Sequence, residues 1–210
     1  MPSTSPQDDP IVIQADARAL LQARRRRLDE ALAALDDRLD EAAGVVEAIG
    51  RVLEDGGTIY TCGNGGSAAE ALHLAEELVG RYRTDRRPLP SVCLNADPTA
   101  LTCIANDFGF DAIFERQVEA HGREGDLLLA ISTSGNSPNV LRAIDAAKAR
   151  GIHTVGLLGK GGGAALERVD TAIVVPVATS SDRIQELHIK VLHTVIEAVE
   201  RRLFPENYGA

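Results

Sequence analysis

From Gly56-Gly57 onward the chain alternates short, continuously apolar runs with longer segments of helical periodicity. Few architectures accept that pattern. The runs cover residues 58–62, 91–95, 127–133, 154–159 and 172–176, and the third contains Leu127-Leu128-Leu129-Ala130-Ile131. A run that is apolar at every position, without polar alternation, is buried on both faces. Strands of that kind, separated by helices, form a parallel sheet with helices packed on either side. The helical segments fall at about 67–79, 98–106, 114–120, 138–150, 164–168 and 182–203. The sequence therefore predicts an α/β fold around a five-stranded parallel sheet.

Ahead of the sheet region, residues 15–55 read as a helical extension. Leu21, Leu28, Leu35, Ala42 and Ile49 form one seven-residue series, and Leu32, Leu39, Val46 and Leu53 form a second. Together they make an apolar stripe interrupted at Arg25. Gly44 and Gly50 are the candidate breaks that would divide it into two helices. So long a stripe predicts packing onto the chain's own core and onto other subunits. Residues 1–14 read as a flexible tail, and residues 56–204 as one folding unit with the extension.

The composition excludes several classes of function. A net charge of −9 opposes nonspecific binding to nucleic acid or to an anionic membrane. With 3% aromatic residues and no Trp, a base-stacking platform is also disfavoured. The run Arg24-Arg25-Arg26-Arg27 is followed by Asp29, Glu30, Asp36, Asp37 and Asp40, which reads as a solvated helix face. Cys62, Cys93 and Cys103 have no metal-type spacing and read as reduced thiols. No apolar run approaches the ~18 residues of a membrane span, and the polar start is unlike a signal peptide. The expectation is a cytoplasmic protein.

Two loops at the predicted carboxyl ends of strands carry the chemistry. The first is Cys62-Gly63-Asn64-Gly65-Gly66-Ser67, where Ser67 and Glu70 match a capping box opening the next helix. It has neither the third glycine of a dinucleotide loop nor the Gly-Lys-Ser/Thr of a Walker loop. The second is Ser132-Thr133-Ser134-Gly135-Asn136-Ser137-Pro138, with Ser137 at the N-cap position and Pro138 at the first helical position. Hydroxyls, backbone N–H groups and a helix dipole converging on one point bind phosphate without a lysine. In open parallel sheets ligands sit at the carboxyl ends of strands, which would join the two loops in one site.

Acid–base candidates lie on two helices. His73 and Glu77 are four residues apart and share a face. Gln185, His188 and His193 lie on the last helix, where Gln185 and His193 are about two turns apart. A carboxylate opposite an imidazole can move a proton between adjacent carbons of a sugar, and the same groups can ligate a divalent metal. Spacing alone does not choose between Glu76 and Glu77, or between His188 and His193. Asn106-Asp107 reads either as a helix end or as a polar wall of the pocket.

The conjunction of Gly63-Asn64-Gly65-Gly66-Ser67, His73-x-x-x-Glu77, Asn106-Asp107, Ser132–Ser137 and Asp182-Arg183-Ile184-Gln185-Glu186-x-His188 with His193 resembles the bacterial phosphoheptose isomerases of the sugar-isomerase (SIS) domain superfamily. The resemblance runs in order over roughly residues 15–204. It implies a flavodoxin-like three-layer sandwich assembled as a homotetramer. It implies interconversion of D-sedoheptulose 7-phosphate and D-glycero-D-manno-heptose 7-phosphate, the first step of nucleotide-activated heptose synthesis. Ser132, Thr133, Ser134 and Ser137 would hold the phosphate, and Asn64, Gly65, Gly66, Ser67, Asn106, Asp107, Asp182 and Gln185 would line the sugar site. Glu77 would be the base and His193 its acid partner. His73, Glu77, Gln185 and His193 would be ligands of a zinc ion. The alternative within the superfamily is a non-catalytic member that binds a replication initiator or senses sugar phosphates, for which the acid–base pair has no use.

Overall fold

The computed structural model describes residues 10–176 and 180–209, with the side chains of 10–15, 27, 37 and 39 left aside. Helix α1 (Pro10–Leu35) passes through a 3-10 turn (Asp36–Arg38) into α2 (Leu39–Glu54). The sheet region follows as β1 (Ile59–Gly63), α3 (Gly66–Val79), β2 (Ser91–Cys93), α4 (Pro98–Phe108), α5 (Glu115–His121), β3 (Leu127–Ser132) and α6 (Pro138–Ala149). It ends with β4 (His153–Leu158), α7 (Gly163–Leu166), β5 (Thr171–Val174) and α8 (Ser181–Leu203). Residues 1–9 of the expected tail lie outside the described residues, and from Pro10 the chain is already helical.

The five strands form one all-parallel sheet in the order β2-β1-β3-β4-β5, the flavodoxin-like arrangement. Its register aligns Thr61 with Leu129, Leu129 with Val155, and Val155 with Thr171. Every residue of β3 is buried, because both faces of the sheet are covered. Leu127, Leu129 and Ile131 enter one core with Ile49 of α2, Leu74 of α3 and Val195 of α8. Leu128 and Ala130 point the other way, into a core with Val118 of α5 and Ile144 of α6. Alternate side chains of one apolar strand thus feed two separate cores, which is why the run could not alternate in polarity.

The extension breaks at Asp36–Arg38, not at either glycine. Gly50 lies inside α2 because Arg202 of α8 crosses directly over it; a Cβ there would meet the Arg202 Cδ and Nε at 2.7 Å. The guanidinium then reaches Glu54 at 2.9 Å and Glu47. Close helix approach, with an ion pair above it, explains the glycine. The apolar stripe is used unevenly. Leu28, Leu32 and Leu35 pack against the α2–α3–α8 core, whereas Leu20 and Leu21 remain exposed. No helix among the described residues is long and apolar enough to cross a membrane.

The order of strands reverses beside β1: the chain leaves it for β2 on one side and returns to β3 on the other. The loops after β1 and β3 therefore flank a crevice at the carboxyl edge of the sheet. Leu129 stands at the centre of that sheet and is 2% exposed. Leu129→Ala is expected to lower unfolding free energy by about 2–5 kcal/mol in urea titrations, through lost transfer energy plus a residual cavity.

Candidate active site

The two loops are locked to each other by a reciprocal amide pair. Asn64 Nδ2 donates to Asn139 Oδ1 at 2.8 Å, and Asn139 Nδ2 donates back to Asn64 Oδ1 at 2.9 Å. Asn139 lies in the first turn of α6 and is buried, so this bond ties the β1 loop to the helix that follows the β3 loop. A second amide, Asn95, accepts from the Gly63 N–H at 3.2 Å and donates to the Gly63 carbonyl at 3.0 Å. Neither Asn95 nor Asn139 stood out in the sequence, since amides gain these roles only through contacts distant along the chain.

In the β3 loop, Ser132 Oγ accepts from the Gly135 N–H at 3.0 Å and Ser134 Oγ accepts from the Asn136 N–H at 3.2 Å. A hydroxyl that accepts still has its own proton to donate, so both remain available to an anion. Ser137 occupies the N-cap position and Pro138 the first turn of α6, as expected, but the Ser137 hydroxyl makes no capping bond. It too is free for a ligand beside the positive end of a 12-residue helix. Thr133 Oγ1 lies 3.2 Å from Ser181 Oγ at the start of α8. Gly135 has φ +65°, and a Cβ there would collide with the Gly162 backbone. The Ala165 N–H donates to the Gly135 carbonyl at 2.9 Å, and the Ala164 N–H donates to Asn136 Oδ1 at the same distance. The loop is pinned from below.

Helices α3 and α8 meet at three polar positions that advance in the same sense along both. At the first, Gly66 lies directly under Gln185; any Cβ would overlap the Gln185 carboxamide. At the second, Glu70 and His188 are both buried, with Glu70 Oε2 3.6 Å from His188 Nδ1. At the third, His73 Nε2 approaches His193 Nε2 at 2.9 Å, with Glu77 Oε1 3.8 Å from His73 Nε2. Glu76 sits behind this group: His73 Nδ1 lies 3.1 Å from Glu76 Oε1, a contact that favours the tautomer with a lone pair on Nε2. The fold thereby separates residues that spacing alone could not. Glu77 is largely buried beside His73 while Glu76 is exposed, and His193 reaches His73 while His188 does not.

Burial raises the Glu77 carboxyl above its usual range, and the neighbouring Glu76 charge adds to it, against an opposing pull from His73. Burial lowers the His193 imidazole, assisted by the positive charges of His73 and Lys190. A carboxylate with raised basicity next to an imidazole biased to its neutral form suits proton transfer near neutral pH.

Two expectations need correction. The Ser67–Glu70 capping box does not form: α3 begins at Gly66 with Gly65 as N-cap, so Ser67 falls inside the helix and Glu70 turns to His188. Nor do Asn106 and Asp107 end α4, which runs to Phe108 and is closed by Gly109 at φ +87°. They are exposed in its last turn, with Asn106 Nδ2 donating to Asp107 Oδ1 at 2.7 Å. Gln185 stands apart from the His73–Glu77–His193 group by about 12 Å of α8, eight residues at 1.5 Å each. Its carboxamide packs over Gly66 at the start of α3.

The fold and this crevice define a SIS-domain protein, and a SIS domain family model matches residues 21–159. Similar proteins narrow the class. The chain is 53% identical over 163 residues to the phosphoheptose isomerase of Rhodospirillum rubrum, covering 78% of this chain and 85% of that one. It is 49% identical over 168 residues to that of Fusobacterium nucleatum, covering 80% and 86%. A solved phosphoheptose isomerase from Neisseria gonorrhoeae superposes with a TM-score of 0.80 at 38% identity, covering 90% of this chain and 98% of that one. The chain belongs to the phosphoheptose isomerase family.

Asp182, at the start of α8, accepts from Ser180 Oγ and from Arg183 Nη2 at 3.0 Å. The Ser180 hydroxyl first, then Arg183, lowers its carboxyl from 3.8 to about 2. A depressed folded-state value contributes stability above pH 3.8 that disappears as pH falls through about 2. Between those limits the wild type should lose stability more steeply than Asp182→Asn, as followed by thermal melts at stepped pH.

Proposed function

We infer that the chain is an aldose–ketose isomerase that interconverts D-sedoheptulose 7-phosphate and D-glycero-D-manno-heptose 7-phosphate. The observation that carries this reading is that a largely buried Glu77 and His193 both approach His73, on helices whose other ends border a hydroxyl-rich loop. Ser132, Thr133, Ser134 and Ser137 bind the remote phosphate, and that binding energy orients the reacting carbons. Asn64, Gly65, Gly66 and Ser67 line the crevice beside them, with Asn106, Asp107 and Asp182 around the sugar hydroxyls. Glu77 removes the proton from the carbon bearing the hydroxyl and returns it to the adjacent carbon through an enediol. His193 delivers and recovers the proton on oxygen.

His73, Glu77 and His193 offer the donor set that a zinc ion takes, with His73 Nε2 at 2.9 Å from His193 Nε2 and 3.8 Å from Glu77 Oε1. Tetrahedral ligands at 2.0–2.1 Å stand about 3.3 Å apart, close to the spacing of the two Nε2 atoms. When bound, zinc would polarise the substrate's carbonyl and hydroxyl oxygens. Gln185 would complete that set from a second copy of the chain, in a homotetramer in which one chain's loops face another chain's acid–base group. The exposed Leu20 and Leu21 of α1 supply apolar surface for such an assembly.

Glu77→Gln should reduce exchange of the C1 and C2 hydrogens with deuterated solvent by at least about 100-fold, while phosphate-ester binding changes little. Proton NMR of sedoheptulose 7-phosphate in D2O measures it; undiminished exchange would remove Glu77 from the role of base. Mixing Glu77→Gln chains with Ser134→Ala/Ser137→Ala chains should restore activity to roughly a quarter of the sites, because random assembly reunites intact halves. No recovery after co-refolding would mean that each chain holds its whole site.

A further inference from the structure

Glu77 occupies an awkward place for a base. Helix α3 ends at Val79, so Glu77 lies in the last turn, where the carbonyls have no helical donors and the backbone frays. The residue that would donate to its carbonyl in a longer helix, Arg81, lies beyond the helix end. In its place Arg86 Nη2 donates to the Glu77 carbonyl at 2.7 Å. The same guanidinium donates through Nη1 to the Leu78 carbonyl at 2.7 Å and the Gly80 carbonyl at 3.0 Å. One side chain donates to three carbonyls at this helix end, sharing that of Leu78 with the Leu89 N–H at 3.0 Å.

The other edge of the guanidinium is held by α8. Arg86 Nε donates to Glu200 Oε1 at 2.8 Å, and the two side chains are 0% and 1% exposed. Burial alone would raise the Glu200 carboxyl, but donors from the Tyr208 hydroxyl, the Tyr82 N–H and Arg86 together hold it below its usual value, and hence ionised. Glu200 lies seven residues after His193 on α8, about two turns along the same face. The clamp therefore joins the backbone of Glu77 to the helix that carries His193. Every polar atom engaged is satisfied, so the network is rigid, not merely paired.

We propose that Arg86 is a positioning residue for the isomerase reaction, fixing the Glu77 backbone against α8 so that the Glu77 carboxylate and His193 share one reacting geometry. The inference rests on Glu77 as base. It gives a fully buried arginine, remote from the phosphate loop, an effect on turnover and not on phosphate recognition. Displacements near 1 Å cost on the order of 100-fold in rate, which sets the scale.

The test compares Arg86→Lys, Arg86→Gly and Glu200→Gln with Glu77→Gln, using kcat and KM for sedoheptulose 7-phosphate per folded molecule, well below each melting temperature. Lysine keeps the charge but cannot fork across adjacent carbonyls. Arg86→Lys should lose about 10- to 100-fold in kcat with KM within about threefold, and Glu200→Gln should show a smaller kcat loss of the same kind. Added guanidinium ion should restore part of the kcat of Arg86→Gly. Unchanged kcat in Arg86→Lys and Glu200→Gln, beside an inactive Glu77→Gln, would overturn the positioning role and leave the base intact. So would a loss confined to KM. If neither Arg86 variant folds, Glu200→Gln alone decides by the same split. Full activity in Glu77→Gln would instead overturn the reading beneath it.

Discussion

The lengthwise contact between α3 and α8 governs the site. The two helices bury an apolar spine that includes Leu74, Leu78, Leu187 and Val195, and that burial is what holds them in register. The polar positions ride on this spine. Gly66 under Gln185, Glu70 facing His188 and His73 meeting His193 are in place because the hydrophobic faces fix how far one helix has slid along the other. A slip of one turn, 5.4 Å, would separate His73 from His193 and drive Gln185 away from its glycine. The geometry of this polar row is a by-product of helix packing.

The anion loop is built on the opposite principle, with bonds taking the place of packing. Its turn is closed by hydroxyls that accept and by backbone seated on the Gly162–Ala165 segment. The loop is therefore shaped before any ligand arrives, and little ordering entropy is left for binding to supply. The chain's net charge of −9 repels a phosphorylated sugar at long range. Local dipoles must win at short range, where the loop's hydroxyls and the start of α6 act.

Much of this was legible in the sequence. Continuous apolar runs located all five strands because a strand feeding two cores leaves few positions for a polar residue. The loops were legible because glycine and serine clusters at strand ends have few structural uses. What failed to show was long-range. The break of the extension at Asp36–Arg38 carries no glycine, while Gly50 is explained only by Arg202, 152 positions away. Ser67 and Glu70 had the spacing of a cap, but the helix starts two residues earlier, with Gly65 as its N-cap, so the pattern was accidental. Glu76 and Glu77 are equivalent in a periodic pattern and differ in the fold because only one faces α8. Arg86 carries no signal in the sequence, because its burial depends on Glu200, far along the chain.

The Asn64–Asn139 pair has a consequence for how such a chain can change. Each amide gives one hydrogen and takes one, so the pair is complete only while both partners present both groups. Aspartate at one position offers no hydrogen to return, and an aliphatic residue strands two groups at once. A change at Asn64 alone leaves the buried Asn139 amide without its partner, so the two positions drift most freely together.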